Sequence, residues 1–457
     1  MSSALVIVFN VAIALIIIFG TIKLAYIPLA IWFEVRRGLL FTRNGKLTRL
    51  PPGFPHEEQE LRRPRGRSRR AARHFGTTPK YRVSVIVPAY NEGVVLRACV
   101  ESILRTKGDL AEVIIVDDGS TDNTAQVMHA LAQAHPMVRS IGQQNAGKGA
   151  ALNRGIKEAT GDVLVFVDAD GIFSPVTIPW LLTGFRDASV GAVCGDDRPV
   201  NLDRVLTRML SVLSHMGTGM VRRSLSLLHC LPVVSGNIGA FRAELVRELG
   251  GFRTDTVGED LELTWRIYDA GFRVAFEPRA IVLAESPSTL RALWKQRVRW
   301  ARGLLQSVKI HWRLHGNPRV GPFGPFLLFN FATMVFVPVA QLFVLAALAY
   351  LVPSGQMSIT SDRQTSVLWN AIAILSWAGL GITLISVVIG IVLNTAWRDF
   401  LNLWTFPLWP LYATAMGMTM VAAIVFEIRG QPAQWNKLHR TGVVSSHEFS
   451  AILGNDV

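Results

Sequence analysis

Apolar residues follow three different patterns along this chain, and each pattern predicts a different kind of element. Residues 4–33 are almost unbroken apolar sequence, long enough to cross a bilayer, which takes roughly 20 helical residues. Three more such stretches lie at 323–352, 367–393 and 403–428, the last interrupted by Pro407 and Pro410. Between these ends the pattern changes to short β-branched runs at 83–87, 113–116 and 163–167. Stretches of helical period separate them, at about 93–105, 121–134 and 147–158. Strands alternating with helices predict βαβ units and a parallel sheet buried on both faces. The third pattern is amphipathic. Leu261, Trp265 and Tyr268 fall at i, i+4 and i+7 on one helical face, with Gly271 as a stop, so Asp260 sits in the first turn. Residues 288–316 read as a basic amphipathic helix with Trp294, Trp300 and Trp312, suited to a membrane surface.

The patterns divide the chain into an N-terminal transmembrane helix (1–35), a basic Arg- and Pro-rich linker (36–80), an α/β domain (81–287), an amphipathic interface helix (288–320), C-terminal transmembrane helices (321–430) and a tail (431–457). The first stretch has no positive n-region and no small-residue cleavage site, which favours a retained helix over a signal peptide. Arg36, Arg37, Arg43, Lys46 and Arg49 follow it, placing the N-terminus outside and the next segment in the cytosol. Three further spans put the tail outside, whereas Arg429, Lys437 and Arg440 argue for the inside. One segment being re-entrant or interfacial reconciles the two, and the sequence leaves open which.

Composition agrees with a membrane protein: mean hydropathy is +0.32 and 50% of the residues are hydrophobic. The net charge of +14 owes much to Arg62, Arg63, Arg65, Arg67, Arg69, Arg70 and Arg73. Beside a membrane such a cluster attracts anionic lipids, at about 1 kcal/mol per residue; a solvated linker is the equal alternative. No aromatic residues interleave with the arginines, which argues against nucleic acid. The three cysteines show no Cys-x-x-Cys spacing, arguing against a zinc site or disulfide scaffold and for a reduced, cytosolic face.

Ligands of parallel sheets bind beyond the carboxyl ends of the strands, and three such ends carry polar clusters. These are Pro88-Ala89-Tyr90-Asn91-Glu92, Asp117-Asp118-Gly119-Ser120 and Asp168-Ala169-Asp170. Asp168 and Asp170 offer hard oxygens suited to Mg²⁺ or Mn²⁺, which would neutralise a diphosphate; a solvated loop is the plainer reading. Asp117 and Asp118 could accept hydrogen bonds from a base or ribose, with Tyr90 stacking on the base. Asp-Gly-Ser also makes a good turn and helix cap, and both can hold. Residues 142–148 fit G-x-x-x-x-G-K, but a P-loop needs Ser or Thr after the lysine and Gly149 stands there, so an NTPase is a remote alternative. Gly195-Asp196-Asp197-Arg198 is a second acidic pair, assigned to substrate-channel structure.

The Val85–Glu92 segment, the 117–120 turn, Asp168-Ala169-Asp170, Gly258-Glu259-Asp260 and Gln296-x-x-Arg299-Trp300 together resemble family 2 glycosyltransferases. They resemble in particular the processive membrane branch of cellulose, chitin, hyaluronan and poly-N-acetylglucosamine synthases. The wording of residues 290–303 is most similar to bacterial poly-β-1,6-N-acetylglucosamine synthases. Two departures are one apparent N-terminal span, where that subgroup often has two, and Gly258, where Thr is common. The resemblance implies a GT-A fold, an α/β Rossmann-like mixed sheet with flanking helices, joined to an α-helical transmembrane region. It also implies a UDP-sugar donor, inversion at the anomeric carbon, a growing polysaccharide acceptor and an accessory membrane subunit as partner. The location it implies is a bacterial inner membrane, multi-pass, with the catalytic domain cytosolic. By the same resemblance Tyr90, Glu92 and Asp117 hold uridine with Lys148 nearby, and Asp168 and Asp170 serve the metal and diphosphate; Asp118 belongs to the substrate-binding set. Asp260 is the general base, Arg299 contacts the diphosphate and Trp300 supports the acceptor sugar. Gly236, Asn237, Glu259 and Gln296 complete the substrate-binding set. Single transfer to a lipid, or a non-catalytic receptor on the same fold, are the alternative functions.

Overall fold

The computed structural model describes residues 3–42, 81–108, 110–351, 353, 363–431 and 442. The arginine cluster at 62–73, Lys437, Arg440 and nearly all of the tail lie outside the described residues. The chain opens with helices α1 (Ser3–Lys23) and α2 (Tyr26–Thr42), where uniform apolarity predicted one helix. Leu24 and Ala25 break it by turning back to Thr21 O and Ile22 O. Pro28 falls in the first turn of α2, where its missing N–H has no intrahelical partner to lose. A change of hydrogen bonding inside an apolar run leaves no trace in hydropathy.

The α/β region runs β1 (Val83–Ala89), α3 (Leu96–Leu104), β2 (Leu110–Asp117), α4 (Thr124–Ala134), β3 (Val138–Gly142), α5 (Lys148–Glu158) and β4 (Val163–Phe166). It continues through β5 (Ile172–Phe173), α6 (Thr177–Thr183), β6 (Val190–Pro199), α7 (Val205–His215), α8 (Arg222–Leu227) and β7 (Gly239–Arg242). It closes with α9 (Ala243–Glu248), α10 (Glu259–Asp269) and β8 (Arg273–Ala284). The eight strands form one sheet in the order β3-β2-β1-β4-β7-β6-β8-β5. The half built from β1 to β4 is parallel, as the sequence pattern predicted. Beyond it β7 runs antiparallel to both β4 and β6, so the whole sheet is mixed.

Alternate residues of β1, β2 and β4 feed two cores. Ile86, Ile114, Leu164 and Phe166 face the side covered by α5, α9 and α10. Val85, Val87, Val113, Ile115, Val163 and Val165 face α3, α4 and α6. Burial on both faces explains why these strands read as continuous apolar runs.

The rest of the chain forms α11 (Leu290–Ile310), α12 (Phe323–Phe331), α13 (Val337–Leu351), α14 (Arg363–Leu393) and α15 (Trp409–Ile428). Among the described residues, Val11–Gly38, Phe323–Tyr350 and Trp397–Ile428 are long and apolar enough to cross a membrane. Within α14 the apolar run Trp377–Leu393 is shorter. Pro407 lies in a 3₁₀ stretch and Pro410 at the start of α15, so the last span does change its helix type there. Helix α11 buries Leu293, Val298, Ala301 and Gly303 and leaves Trp294 and Trp300 exposed; Trp312, also exposed, lies beyond its end in a 3₁₀ turn. Helix α10 is wedged in place: Trp265 is fully buried and donates to Pro232 O at 3.1 Å, and Tyr268 stacks on Phe323 of α12 at 3.8 Å.

Candidate active site

The tips of β1 and β2 are locked to each other first. Asn91 adopts φ 55°, and its Oδ1 accepts from Thr121 N at 2.6 Å and Asp122 N at 3.2 Å. A short amide side chain that bonds locally is among the few that sit readily in this left-handed region. Asp117 Oδ1 accepts from Ser120 N at 3.0 Å. Asp118 accepts from Gln143 Nε2 at 2.7 Å and Ala146 N at 2.9 Å on one oxygen, and from Gly147 N at 2.8 Å on the other. Gly147, with φ 91°, is the residue before α5. Asp118 is thus engaged internally, holding the turn that presents Lys148. Tyr90 is half-buried at the same tip, and buried Glu92 donates its backbone N–H to Thr124 Oγ1 at 2.8 Å.

Lys148 then joins distant parts of the chain. Its ammonium lies 2.6 Å from Asp168 Oδ1 and 3.7 Å from Glu259 Oε1. The turn at 235–237 ties the same groups from the other side. Asp168 N donates to Asn237 Oδ1 at 3.3 Å, and Gly236 N donates to Asp260 Oδ2 at 3.1 Å. Gly236 is small for a reason: a Cβ there would lie 3.2 Å from Lys148 Nζ and 3.5 Å from Asp260 Oδ2. Strand tip, turn and helix therefore meet at one place.

Burial alone would lower the Lys148 pKa, but Asp168, Glu259 and Asp260 together lift it above the ordinary lysine value. Glu259 moves up as well, because burial and then the charge of Asp260 outweigh the opposing Lys148 and Arg299. Behind the pocket, Cys99 Sγ lies 3.6 Å from Asp168 O, and burial followed by Asp170, Asp168 and Glu92 pushes its thiol up. Asp170 is buried, and its Oδ2 accepts from Glu285 N at 3.1 Å. No cluster of three or more His, Cys, Asp or Glu side chains suited to a metal occurs among the described residues. Two carboxylates at a strand tip nevertheless fit Mg²⁺ or Mn²⁺, because such ions take the remaining oxygens from substrate phosphates and water.

Helix α11 closes the pocket. A Cβ on Gly258 or on Gly303 would come within 2.8 Å of the other's Cα, so the backbones touch just before Glu259. In this chain Gly258 is a packing residue matched to Gly303. Gln306 binds the same turn, accepting from Thr256 Oγ1 at 2.9 Å and Val257 N at 3.0 Å. Arg299, on this helix, is close enough to influence Glu259. Trp300 is about half exposed, at 49%, and carries the Arg297 guanidinium over its ring at 4.1 Å. Gln296 Oε1 is buried with no protein partner among the described residues. Sequence reasoning placed Asn91 in a strand-end cluster without a role of its own, and gave no role to Arg297, Gly303 or Gln306. Asp196 and Asp197 of the second acidic pair bind Arg198 and Arg222, and Arg198 reaches Asn394 O at 3.3 Å. They join the sheet to the end of α14.

A mixed sheet with acidic strand tips, covered by helices and continued by apolar ones, is the architecture of GT-A glycosyltransferases. Residues 79–303 match the family described as "Glycosyltransferase like family 2". The chain is similar to the poly-beta-1,6-N-acetyl-D-glucosamine synthase of Staphylococcus aureus (strain COL), 32% identical over 222 residues that cover 48% of this chain and 54% of that protein. The synthase of Staphylococcus epidermidis is 31% identical over the same shares. The chain thus spans about half the length of the curated relatives it matches. In fold it is similar to "Mannosyltransferase PcManGT from Pyrobaculum calidifontis in complex with GDP-Man and Mn2+", with TM-score 0.58 and 22% identity. That likeness covers 93% of this chain and 99% of the other, so it extends beyond the α/β region.

Proposed function

We propose that this protein is an inverting, processive glycosyltransferase. It polymerises a β-linked polysaccharide from a UDP-sugar and feeds it into a membrane channel. The names of the sequence relatives support poly-β-1,6-N-acetylglucosamine as the product, with UDP-N-acetylglucosamine as the matching donor. The setting is a bacterial inner membrane, with the α/β domain on the cytosolic side. The supporting observation is the convergence at Lys148, whose ammonium meets Asp168 at 2.6 Å and Glu259 at 3.7 Å beside the turn that binds Asp260.

In this reading an acceptor hydroxyl attacks the anomeric carbon of an α-linked donor from the face opposite UDP. Asp260 takes the hydroxyl proton as the new bond forms, a contribution of about 10²–10⁴-fold. The bond from the anomeric carbon to the diphosphate oxygen breaks, and its electron pair leaves with UDP. Asp168 and Asp170 would hold Mg²⁺ or Mn²⁺, which supplies positive charge where the diphosphate becomes more negative. Arg299 adds a fixed cation on the α11 side. Tyr90, Glu92 and Asp117 stand at the strand tips proposed for uridine, and Trp300 offers an exposed ring to the acceptor sugar.

The test is a donor screen on the membrane-embedded protein, reading UDP release and then the size and linkage of the product. A β-1,6-linked polymer from UDP-N-acetylglucosamine is expected. One sugar per lipid would replace the processive reading with single transfer, and no UDP release from any donor would overturn the enzyme.

A further inference from the structure

We propose that Gln306, braced by Glu427 at the C-terminal end of α15, is a positioning residue for the turn that carries the general base. This rests on the reading of Asp260 as that base. The Gln306 amide is bonded at both ends. Its Oε1 accepts from Thr256 Oγ1 at 2.9 Å and Val257 N at 3.0 Å, and its Nε2 donates to Glu427 Oε1 at 3.0 Å. The same Glu427 oxygen accepts from Arg302 Nε at 2.6 Å. A flipped amide would set an NH₂ group against Val257 N–H and an oxygen against a carboxylate, so only one orientation satisfies every partner.

This brace reaches the residues directly ahead of the proposed base and its neighbour. Gln306 holds positions 256 and 257, and Gly303, nearly one helical turn earlier, seats position 258 by backbone contact. Glu259 and Asp260 come next. A general base must sit within hydrogen-bond reach of its proton, and small misplacements are costly.

Glu427 itself stands in the last turn of α15, where the helix dipole disfavours a carboxylate. Arg302 and Gln306 are the groups that compensate it. Helix-to-helix packing alone would be served by apolar side chains here. A carboxylate, guanidinium and amide in series instead fix a register between a membrane helix and the base-bearing turn.

The experiment compares Gln306→Glu, Glu427→Gln and the double variant Q306E/E427Q in the full-length, membrane-embedded protein with UDP-N-acetylglucosamine. Gln306→Glu alone sets two carboxylates against each other. The double variant restores complementarity, because the introduced carboxylate accepts from Thr256 and Val257 while the introduced amide donates to it. The expected result is kcat down about 30-fold in Gln306→Glu with donor KM within about twofold, and recovery to within about fivefold in the double variant, a coupling that independent sites do not show. UDP affinity and thermal midpoint are measured alongside. Unchanged kcat in Gln306→Glu overturns the brace. So does a loss that tracks UDP affinity or thermal midpoint, or a double variant no better than the single one. A wild-type protein that releases no UDP overturns both this inference and the function on which it rests.

Discussion

Around Lys148, three carboxylates gather at one ammonium, whereas around Arg223 a single guanidinium meets a full set of acceptors. Arg223 donates to Glu34 at 2.7 Å, Thr218 O at 2.9 Å, Gly219 O at 3.1 Å, Asn394 Oδ1 at 2.7 Å and Leu393 O at 2.9 Å. The Asn394 amide then donates to Thr218 Oγ1 at 2.9 Å, and His215 meets Asp399 at 2.6 Å. Both clusters are largely buried, and both join segments far apart in sequence. They differ in balance. The Arg223 cluster is structural: it ties α2, α8 and the end of α14 together and surrounds its cation with protein acceptors. The Lys148 cluster carries surplus negative charge that a proton or an added cation would relieve, an imbalance of the kind that clusters at functional sites.

That contrast predicts opposite phenotypes. Asp260→Asn should lower UDP release by about 10²–10⁴-fold while the thermal midpoint stays near wild type; near-normal turnover would remove Asp260 from the role. Arg223→Ala should do the reverse. Breaking a buried charged network costs about 3–5 kcal/mol, read as a lower thermal midpoint and yield, with UDP affinity of the folded fraction unchanged. Asp118→Asn should fall between, with kcat/KM down roughly tenfold, since an amide replaces an acceptor facing the N–H groups of Ala146 and Gly147. Wild-type expression combined with wild-type kinetics would show that the turn before Lys148 needs no such support.

The smallest effect concerns pH. The Glu259 carboxyl is raised, chiefly by burial, so the folded protein keeps that proton at pH values where the unfolded chain has released it. Stability from this group is therefore full below the ordinary glutamate pKa of about 4.3 and is lost as pH rises through the folded-state value. Glu259→Gln should flatten this decline in thermal midpoints measured across that range. An unchanged slope would show that the proton is held elsewhere.

Legibility in the sequence followed how local each interaction is. Strands β1, β2 and β4 were readable because burial on both faces forces unbroken β-branched runs. Strand β3 was not, because most of its residues are only half-buried, and β7 was not, because Gly239-Ala240-Phe241-Arg242 contains no β-branched residue. The carboxylates at 117, 168, 170 and 260 stood out because each lies at or shortly beyond the end of an apolar strand, or in the first turn of a helix. Asp118 looked equally like a ligand and a turn former, and only its contacts with Gln143, Ala146 and Gly147 separate the two. Arg223 gave no signal, since its partners lie at residues 34 and 394. Gln306 resembled any polar residue of an amphipathic helix until Glu427 and Val257 were seen on either side of it.

The most direct test of the shared pocket is an experimental map of the membrane-embedded protein with UDP-N-acetylglucosamine and Mn²⁺ bound. The account predicts a diphosphate between the Asp168 and Asp170 carboxylates and Arg299, with the anomeric carbon turned toward Asp260. A nucleotide bound away from Lys148, or a sugar on the opposite side of the 235–237 turn from Asp260, would contradict it.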